Sequence, residues 1–337
     1  MRAIVQGRYG SVDDLSLSDV PRPDPAEDEV LVRIRAASVH PDVWHVVAGL
    51  PAVLRLMGSG VRRPRERVPG TDVAGVVESV GIGVTRFEPG DEVFGETIRG
   101  IQWRNGGAFA EYATAPEEGV ALKPSGVSFE EAATVPTAGL IALNNLPRRR
   151  VPFGSRVLVN GAAGGVGAIA VQLAKAYGAQ VTGVDHASKL ALVRSLGADR
   201  VIDYTSEDFT RSGEQWDLIF DVPGNHSFKA IRRALDPRGR YVLIGHDAFG
   251  ATGHRWLGSI PRVLGLVARS AVSPQLRGGS FASPDKRQLM GTLASLMQTG
   301  QLRVVIDRTF PLSQTPQAIR HLMSGQSLGR VVVRIDD

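Results

Sequence analysis

Hydrophobic and polar positions fall into three stretches of different rhythm. In the first stretch, short apolar runs are broken by Pro and Gly. "EVLVRIRAASV" (Glu29 to Val39) alternates as a half-buried strand does, and "DVAGVVESVG" and "GDEVFG" add two more strands, each closed by glycine. This spacing predicts a small, irregular β-rich domain. Among these strands, "AVLRLMGSGVRRPRERVPG" (Ala52 to Gly70) reads as an excursion with a short helix and a basic loop.

From Val157 the period changes. "RVLVNG" is a short continuous apolar run suited to a strand buried on both faces, and "VGAIAVQLAKAYG" follows as a helix closed by Gly178. Strand "AQVTGVD", helix "SKLALVRSLGA", strands "RVIDY" and "WDLIFDV", a helix around "SFKAIRRAL" and strand "GRYVLIG" continue the series. Strands alternating with helices imply βαβ units, a parallel sheet and a doubly wound α/β domain. The tail holds a helix (Asp285 to Gly300), "VVIDRTFPLS", a helix "TPQAIRHLMSG" and a last strand "RVVVRI", expected as an edge returning to the β-rich domain. The expected organisation is 1–122 for the first part of the β-rich domain, 123–283 for the doubly wound domain and 284–337 for the return.

A chain of 337 residues with 43% hydrophobic side chains is long enough for two cores. No run approaches the roughly 18 apolar residues of a membrane span, and the start "MRAIVQGRYG" lacks the apolar region of a secretory signal, so a cytoplasmic protein without membrane contact is expected. The net charge of +5 is modest, and the basic runs "RRPRER" (Arg62 to Arg67) and "PRRRVP" (Pro147 to Pro152) lack interleaved aromatics. They read as solvated loops rather than a nucleic-acid surface. The absence of cysteine excludes disulfides, thiol nucleophiles and every cysteine-built zinc or iron–sulfur site. The seven histidines show no paired metal spacing, and no metal is expected.

The candidate chemistry sits in "VLVNGAAGGVGAIAVQLA" (Val157 to Ala174). It approximates the dinucleotide fingerprint G-x-G-x-x-G in the register Ala162-Ala163-Gly164-Gly165-Val166-Gly167, with alanine in place of the first glycine. The loop follows a buried strand, opens a helix, and precedes Asp185 at the end of the next strand, about twenty residues on. Gly164 keeps the role of close backbone approach to a pyrophosphate and Gly167 that of close helix–strand packing, while Gly161 supplies the freedom lost at Ala162. Asp185 can accept from a ribose diol, favouring NAD(H); Ser188 and Lys189 can grip a 2′-phosphate, favouring NADP(H).

Taken together, "PGTDVAGVVESVGIGVTRFEPGDEVFG", "GGAFAEYATAP", "SFEEAATVPTAGLIAL", the glycine loop, "SLGADRVIDY" and "GQLRVVIDRTFPLSQTPQAIRHLMSG" give a chain that resembles the medium-chain dehydrogenase/reductase superfamily, in its zinc-free quinone oxidoreductase-like branch. The resemblance covers nearly the whole length. It implies a GroES-like β-rich catalytic domain split around a Rossmann domain, an active site in the cleft between them, and a homodimer formed by edge-to-edge pairing of a strand at Gln275 to Ser283. It also implies that the glycine loop carries the pyrophosphate of NADPH, that Thr137 and Ala138 border the nicotinamide and that Gly245 backs it. Tyr204 would lie near the adenosine ribose, and Gly329 and Arg330 would approach the cofactor from the tail.

The substrate side departs from the family pattern. Where many relatives read N-P-x-D-W-x or N-P-x-D-Y-x, this chain reads His40-Pro41-Asp42-Val43-Trp44-His45, with His40 for asparagine, the aspartate one place early and Val43 for the acid. The expected reaction is hydride transfer from NAD(P)H to a small molecule, either a quinone or the β-carbon of an α,β-unsaturated carbonyl. Such an acceptor needs no metal, because it already carries a polarised carbonyl. His45, His40 and Trp44 are the candidates for proton delivery and for stacking on a planar acceptor. The alternatives are a zinc-type alcohol dehydrogenase, disfavoured by the missing cysteines, and a non-catalytic nucleotide- or nucleic-acid-binding member.

Overall fold

The computed structural model describes residues 1–53, 55–99, 106–245, 255–258, 260–270, 273–276 and 285–336. The chain divides into two compact units. The first comprises Met1–Leu140, Asp285–Gly300 and Val304–Asp337; the second comprises Ile141–Pro284 and Gln301–Arg303. Among the described residues no helix is long and apolar enough to cross a membrane.

The first unit opens with β1 (Arg2–Gln6) and β2 (Leu15–Asp19), an antiparallel pair. Then come β3 (Glu29–Val39), α1 (Pro41–Ala48), β4 (Asp72–Val80), β5 (Glu92–Glu96), β6 (Tyr112–Pro116), β7 (Val120–Leu122) and α2 (Phe129–Ala133); the N-terminal half of α3 (Pro136–Asn145) completes this part. In the second unit lie β8 (Arg156–Asn160), α4 (Gly165–Ala176), β9 (Gln180–Asp185), α5 (Leu190–Ser195), β10 (Arg200–Asp203), β11 (Trp216–Asp221), α6 (Phe228–Ala234), β12 (Leu235–Leu243) and α7 (Ile260–Ser270). The chain re-enters the first unit with α8 (Lys286–Gln298), β13 (Ile306–Pro311), α9 (Thr315–Met323) and β14 (Arg330–Arg334).

The larger sheet of the first unit runs β13-β14-β3-β4-β5-β7, with β6 also paired to β3. On one side of β3 lies β4; on the other, β6 takes Glu29–Arg33 and β14 takes Ala36–Val39. The last strand does return to the N-terminal sheet, but it is interior: β13 forms the edge, parallel to β14. Strand β3 is also more buried than its alternation predicts. Only Glu29, Arg33 and Arg35 reach partial exposure, because α2 packs over β3 and β4 and so covers a second face. The apolar core here gathers Ile34, Val39, Val73, Phe109, Phe310 and Val333 among others.

In the second unit, five parallel strands run in the order β10-β9-β8-β11-β12. β8, first in sequence, lies in the middle, with β9 on one side and β11 on the other. The strand order therefore reverses at β8, and in open α/β sheets the carboxyl ends of the strands at such a point form the ligand crevice. The glycine loop leaves β8 at that end. Three local features differ from the alternation pattern. β12 begins at Leu235, before the "GRYVLIG" run. "SKLALVRSLGA" divides into a 3-10 turn (Ala187–Lys189) and the short α5. Gln275 and Leu276 belong to a 3-10 turn (Pro274–Leu276) rather than a strand, and Arg277 to Ser283 lie outside the described residues.

Candidate functional site

The loop from Gly161 to Gly167 is shaped by two glycines. Gly161 has φ +79°, a left-handed conformation that lets the chain turn sharply off β8. A Cβ on Gly167 would lie 2.1 Å from the Gly161 carbonyl oxygen, so only glycine lets the first turn of α4 pack against the strand end. Gly161 and Ala162 amides both donate to Val184 O, at 2.9 and 3.1 Å, which ties the turn to β9. Ala162 and Ala163 are buried. The first helical bond of α4 is donated by Ala168 to Gly164 O. The amides of Gly165, Val166 and Gly167 therefore have no intrahelical acceptor, and Gly164 at the N-cap offers no side chain to them. Gly164 is exposed and no acidic residue occupies the first turn. An uncapped helix start with free amides and a positive dipole end fits an anionic phosphate. The residues present fit a dinucleotide.

At the end of β9, Asp185 lies against the glycine loop. Its Oδ2 accepts from Ala163 N at 2.8 Å and its Oδ1 from His186 N at 2.9 Å, with the residue 9% exposed. The carboxylate braces the glycine loop. Beyond it, His186 and Ser188 are exposed, with a 2.9 Å contact between His186 Nδ1 and Ser188 Oγ, and Lys189 is half-buried. Tyr204 is 56% exposed, with its ring 5.9 Å from that of His186. Gly245 follows β12, and its amide donates to Val222 O. Asp221, fully buried at the end of β11, accepts from Asn160 Nδ2, Gly224 N and Tyr241 Oη and so locks the ends of β8, β11 and β12 together.

The first unit contributes a separate group of polar side chains. Asp72 opens β4 and Glu96 ends β5; the two are register partners and both are fully buried. Thr137, on the first turn of α3, sends Oγ1 to within 2.5 Å of Asp72 Oδ1 and 2.7 Å of Glu96 Oε1, and its amide lies 3.3 Å from both Asp72 oxygens. Lys286 Nζ donates to Glu96 Oε2 at 2.7 Å and to Ile98 O at 3.0 Å. Burial, reinforced by the neighbouring Glu96 charge, pushes the Asp72 carboxyl up to about 6 against the pull of His40, Thr137 and Arg330. Arg330 donates weakly to Ser38 Oγ at 3.4 Å, and its buried Nε has no partner among the described residues. Burial lowers the Arg330 guanidinium, partly offset by Asp72. Ala138 is buried beside Thr137.

The three substrate-side candidates lie at the cap of α1 and within it. His40 is its N-cap, with Nδ1 3.4 Å from Asp42 N and 3.2 Å from Asp42 Oδ2. His45 is 2% exposed, and its Nδ1 meets Leu50 O at 2.8 Å just past the helix end. Trp44 is half-buried, its ring edge-on to His45 at 5.0 Å. His45→Ala removes a buried ring and a hydrogen bond at a helix end, so unfolding in denaturant should show a loss of about 2–3 kcal/mol. A loss below about 0.5 kcal/mol would show that this bond does not support the helix.

The sequence pattern brought out the glycine loop and its strand but missed the cluster of Asp72, Glu96 and Lys286. Its signal was an acid at the end of an otherwise apolar strand, at both "TDVAGVV" and "EVFGE". Among the described residues no three His, Asp or Glu side chains converge as metal ligands, and the chain has no cysteine. The donors present do not fit a cysteine-built zinc site.

Residues 26–125 match the family model of the alcohol dehydrogenase GroES-like domain, and residues 196–333 match that of the zinc-binding dehydrogenases. The chain is 34% identical to a 2-methylene-furan-3-one reductase of Solanum lycopersicum, over 99% of this chain and 79% of that protein. It is 33% identical to an NADPH-dependent alkenal/one oxidoreductase of Arabidopsis thaliana, with the same coverages. Among solved structures, the quinone oxidoreductase from Coxiella burnetii superposes with a TM-score of 0.83 at 28% identity, over 100% of this chain and 99% of that one. The uncapped glycine loop at the reversal of a five-stranded parallel sheet agrees with these matches, and the chain belongs to the medium-chain dehydrogenase/reductase superfamily, in its quinone oxidoreductase-like branch.

Proposed function

We propose that the protein is a zinc-independent, NADPH-dependent reductase that transfers hydride to a quinone or to the β-carbon of an α,β-unsaturated carbonyl. The relatives named as alkenal/one and quinone oxidoreductases support the reaction, and the missing cysteines support a route without a Lewis acid. Bound NADPH supplies the hydride. The chain's own part is to hold the reactants, exclude water and offer a proton to the reduced acceptor. The amides of Gly165 to Gly167 hold the pyrophosphate, and Thr137, Ala138, Gly245 and Arg330 border the nicotinamide end. His40 delivers the proton in preference to His45, whose Nδ1 is already engaged by Leu50 O; Trp44 stacks on the acceptor. A dimer is expected from the family.

The observation that carries the cofactor choice is the engagement of Asp185. With both oxygens accepting backbone amides, it is held toward the glycine loop, and Ser188, Lys189 and Tyr204 are left to surround a 2′-phosphate. Replacing Lys189 by alanine should weaken NADPH about tenfold, as expected for loss of one charge-assisted phosphate contact, and leave NADH unchanged. Asp185→Ala should weaken both cofactors alike, because it loosens the loop. A selective gain for NADPH in that variant would show that Asp185 discriminates the ribose after all. The reaction itself is tested by a steady-state panel of quinones and enones with each cofactor, with and without chelator. The expected result is chelator-insensitive turnover with NADPH; turnover confined to simple alcohols or aldehydes and lost on chelation would overturn it.

A further inference from the structure

Asp72 and Glu96 close on a single hydroxyl. Thr137 Oγ1 is within hydrogen-bond reach of both carboxyl groups, but a hydroxyl carries one proton. It can satisfy one carboxylate, and the other contact is then repulsive unless that carboxyl brings a proton of its own. Two fully buried carboxylates bridged by one hydroxyl cannot both stay ionised at ordinary cost.

The neighbours decide where the extra proton sits. Glu96 is paired with the Lys286 ammonium at 2.7 Å, which favours its ionised form. Asp72 has weaker support: Ser38 Oγ and Thr71 Oγ1 at 3.4 Å, the Thr137 amide at 3.3 Å, and the charges of His40 and Arg330, neither of which makes an ion pair with Asp72 among the described residues. These are the polar and charged groups facing Asp72 from β3, the start of α1, β5, α3 and β14.

We propose that, in mildly acidic solution, Asp72 is held as a neutral acid that donates to Thr137 Oγ1, which in turn donates to Glu96, so that one proton chain from Asp72 to Lys286 positions Thr137 and leaves the Arg330 charge uncompensated for the cofactor. The second clause rests on the proposed placement of Thr137 and Arg330 at the nicotinamide end. Among these groups Glu96 and Lys286 cancel, His40 lies against Asp42, Asp72 contributes no charge, and the guanidinium with its unpartnered Nε remains. Ionised Asp72 would compete for that guanidinium and would break the donor order through Thr137. Asp72, Glu96 and Thr137 are thus positioning residues for the reaction rather than groups that touch the reacting atoms.

The proton is tested on cofactor-free protein by infrared spectroscopy with the aspartate side-chain carboxyls labelled with carbon-13. At about pH 5.5, where ordinary carboxyls have ionised, a protonated carboxyl band should remain and should shift with the label. No such band, or a band that shifts only with labelled glutamate, overturns the proposal.

A second readout is the melting temperature of Asp72→Asn relative to the wild type. An acid whose folded value is raised contributes stability that is complete below its unfolded value and is lost as pH rises through the folded one, about 6 here. The advantage of the asparagine variant should therefore grow between about pH 4 and 7; a flat or falling difference overturns the proposal. NADPH affinity of the wild type should fall over the same interval, and this fall should vanish in Asp72→Asn. If the band and melting behaviour hold while affinity does not fall, the proton chain stands and the placement of Arg330 at the cofactor is overturned.

Discussion

Gly167→Ala should weaken NADPH binding about 100-fold, a loss of roughly 2.7 kcal/mol, measured by quenching or transfer of nicotinamide fluorescence. The added methyl would meet the Gly161 carbonyl oxygen at 2.1 Å and the Gly161 carbonyl carbon at 2.8 Å, backbone atoms that no side-chain rotation can clear. The helix start must then move off the end of β8 or the Gly161 turn must unwind, and either change displaces the amides that face the pyrophosphate. Overpacking of this kind also costs about 1–3 kcal/mol of stability, so the melting temperature should fall as well. Gly291→Ala is the control. That glycine sits in α8 with nothing within 4 Å of a built Cβ and no positive φ; alanine there should raise stability by up to about 1 kcal/mol and leave binding alone. If Gly167→Ala binds NADPH within about threefold of the wild type, the phosphate cradle lies elsewhere.

Lys286→Met should destabilise the protein by about 3 kcal/mol at neutral pH, with the loss growing as pH rises. Glu96 has no exposed surface and the Lys286 side chain only 12%. Removing one partner of a buried pair strands the other charge, and such losses are typically about 3–5 kcal/mol. In acid a stranded carboxylate escapes the penalty by taking up a proton, so the variant should approach wild-type stability there. The double variant Lys286→Met, Glu96→Gln should recover most of the loss, because a neutral amide can still accept from Thr137 Oγ1. Chemical denaturation across pH measures all three. A Lys286→Met loss below about 1 kcal/mol would place this pair with ordinary surface ion pairs.

Much of the doubly wound unit was legible before any coordinates. Val157 to Asn160 and Trp216 to Asp221 are apolar runs that suit strands buried on both faces. Gly161 and Gly167 mark positions where a side chain is excluded by backbone geometry or by a close neighbour. These are local constraints, and local sequence carries them. Asp185 was legible as an acid at a strand end, but not as a brace. Its orientation depends on Ala163 N, 22 residues earlier, which only the pairing of β8 with β9 brings within 2.8 Å. His45 was similarly visible as a histidine, while its engagement by Leu50 O depends on α1 ending at Gly49.

The cluster around Asp72 was hidden for a stronger version of the same reason. Its members come from positions 38, 72, 96, 137, 286 and 330, and no spacing rule relates them. Antiparallel register sets Asp72 against both Glu96 and Ser38, the start of α3 adds Thr137, and the return of the chain through α8 and β14 adds Lys286 and Arg330. Period and composition therefore decide that this chain builds a β-rich unit and a parallel sheet with a phosphate-binding turn, since hydrophobic burial and glycine sterics act between near neighbours. Which carboxyls share one hydroxyl, where a guanidinium is buried and which acid braces the glycine loop were decided only by tertiary structure. Electrostatic energies depend on distance and burial between groups far apart in sequence, and those are set when the strands pair.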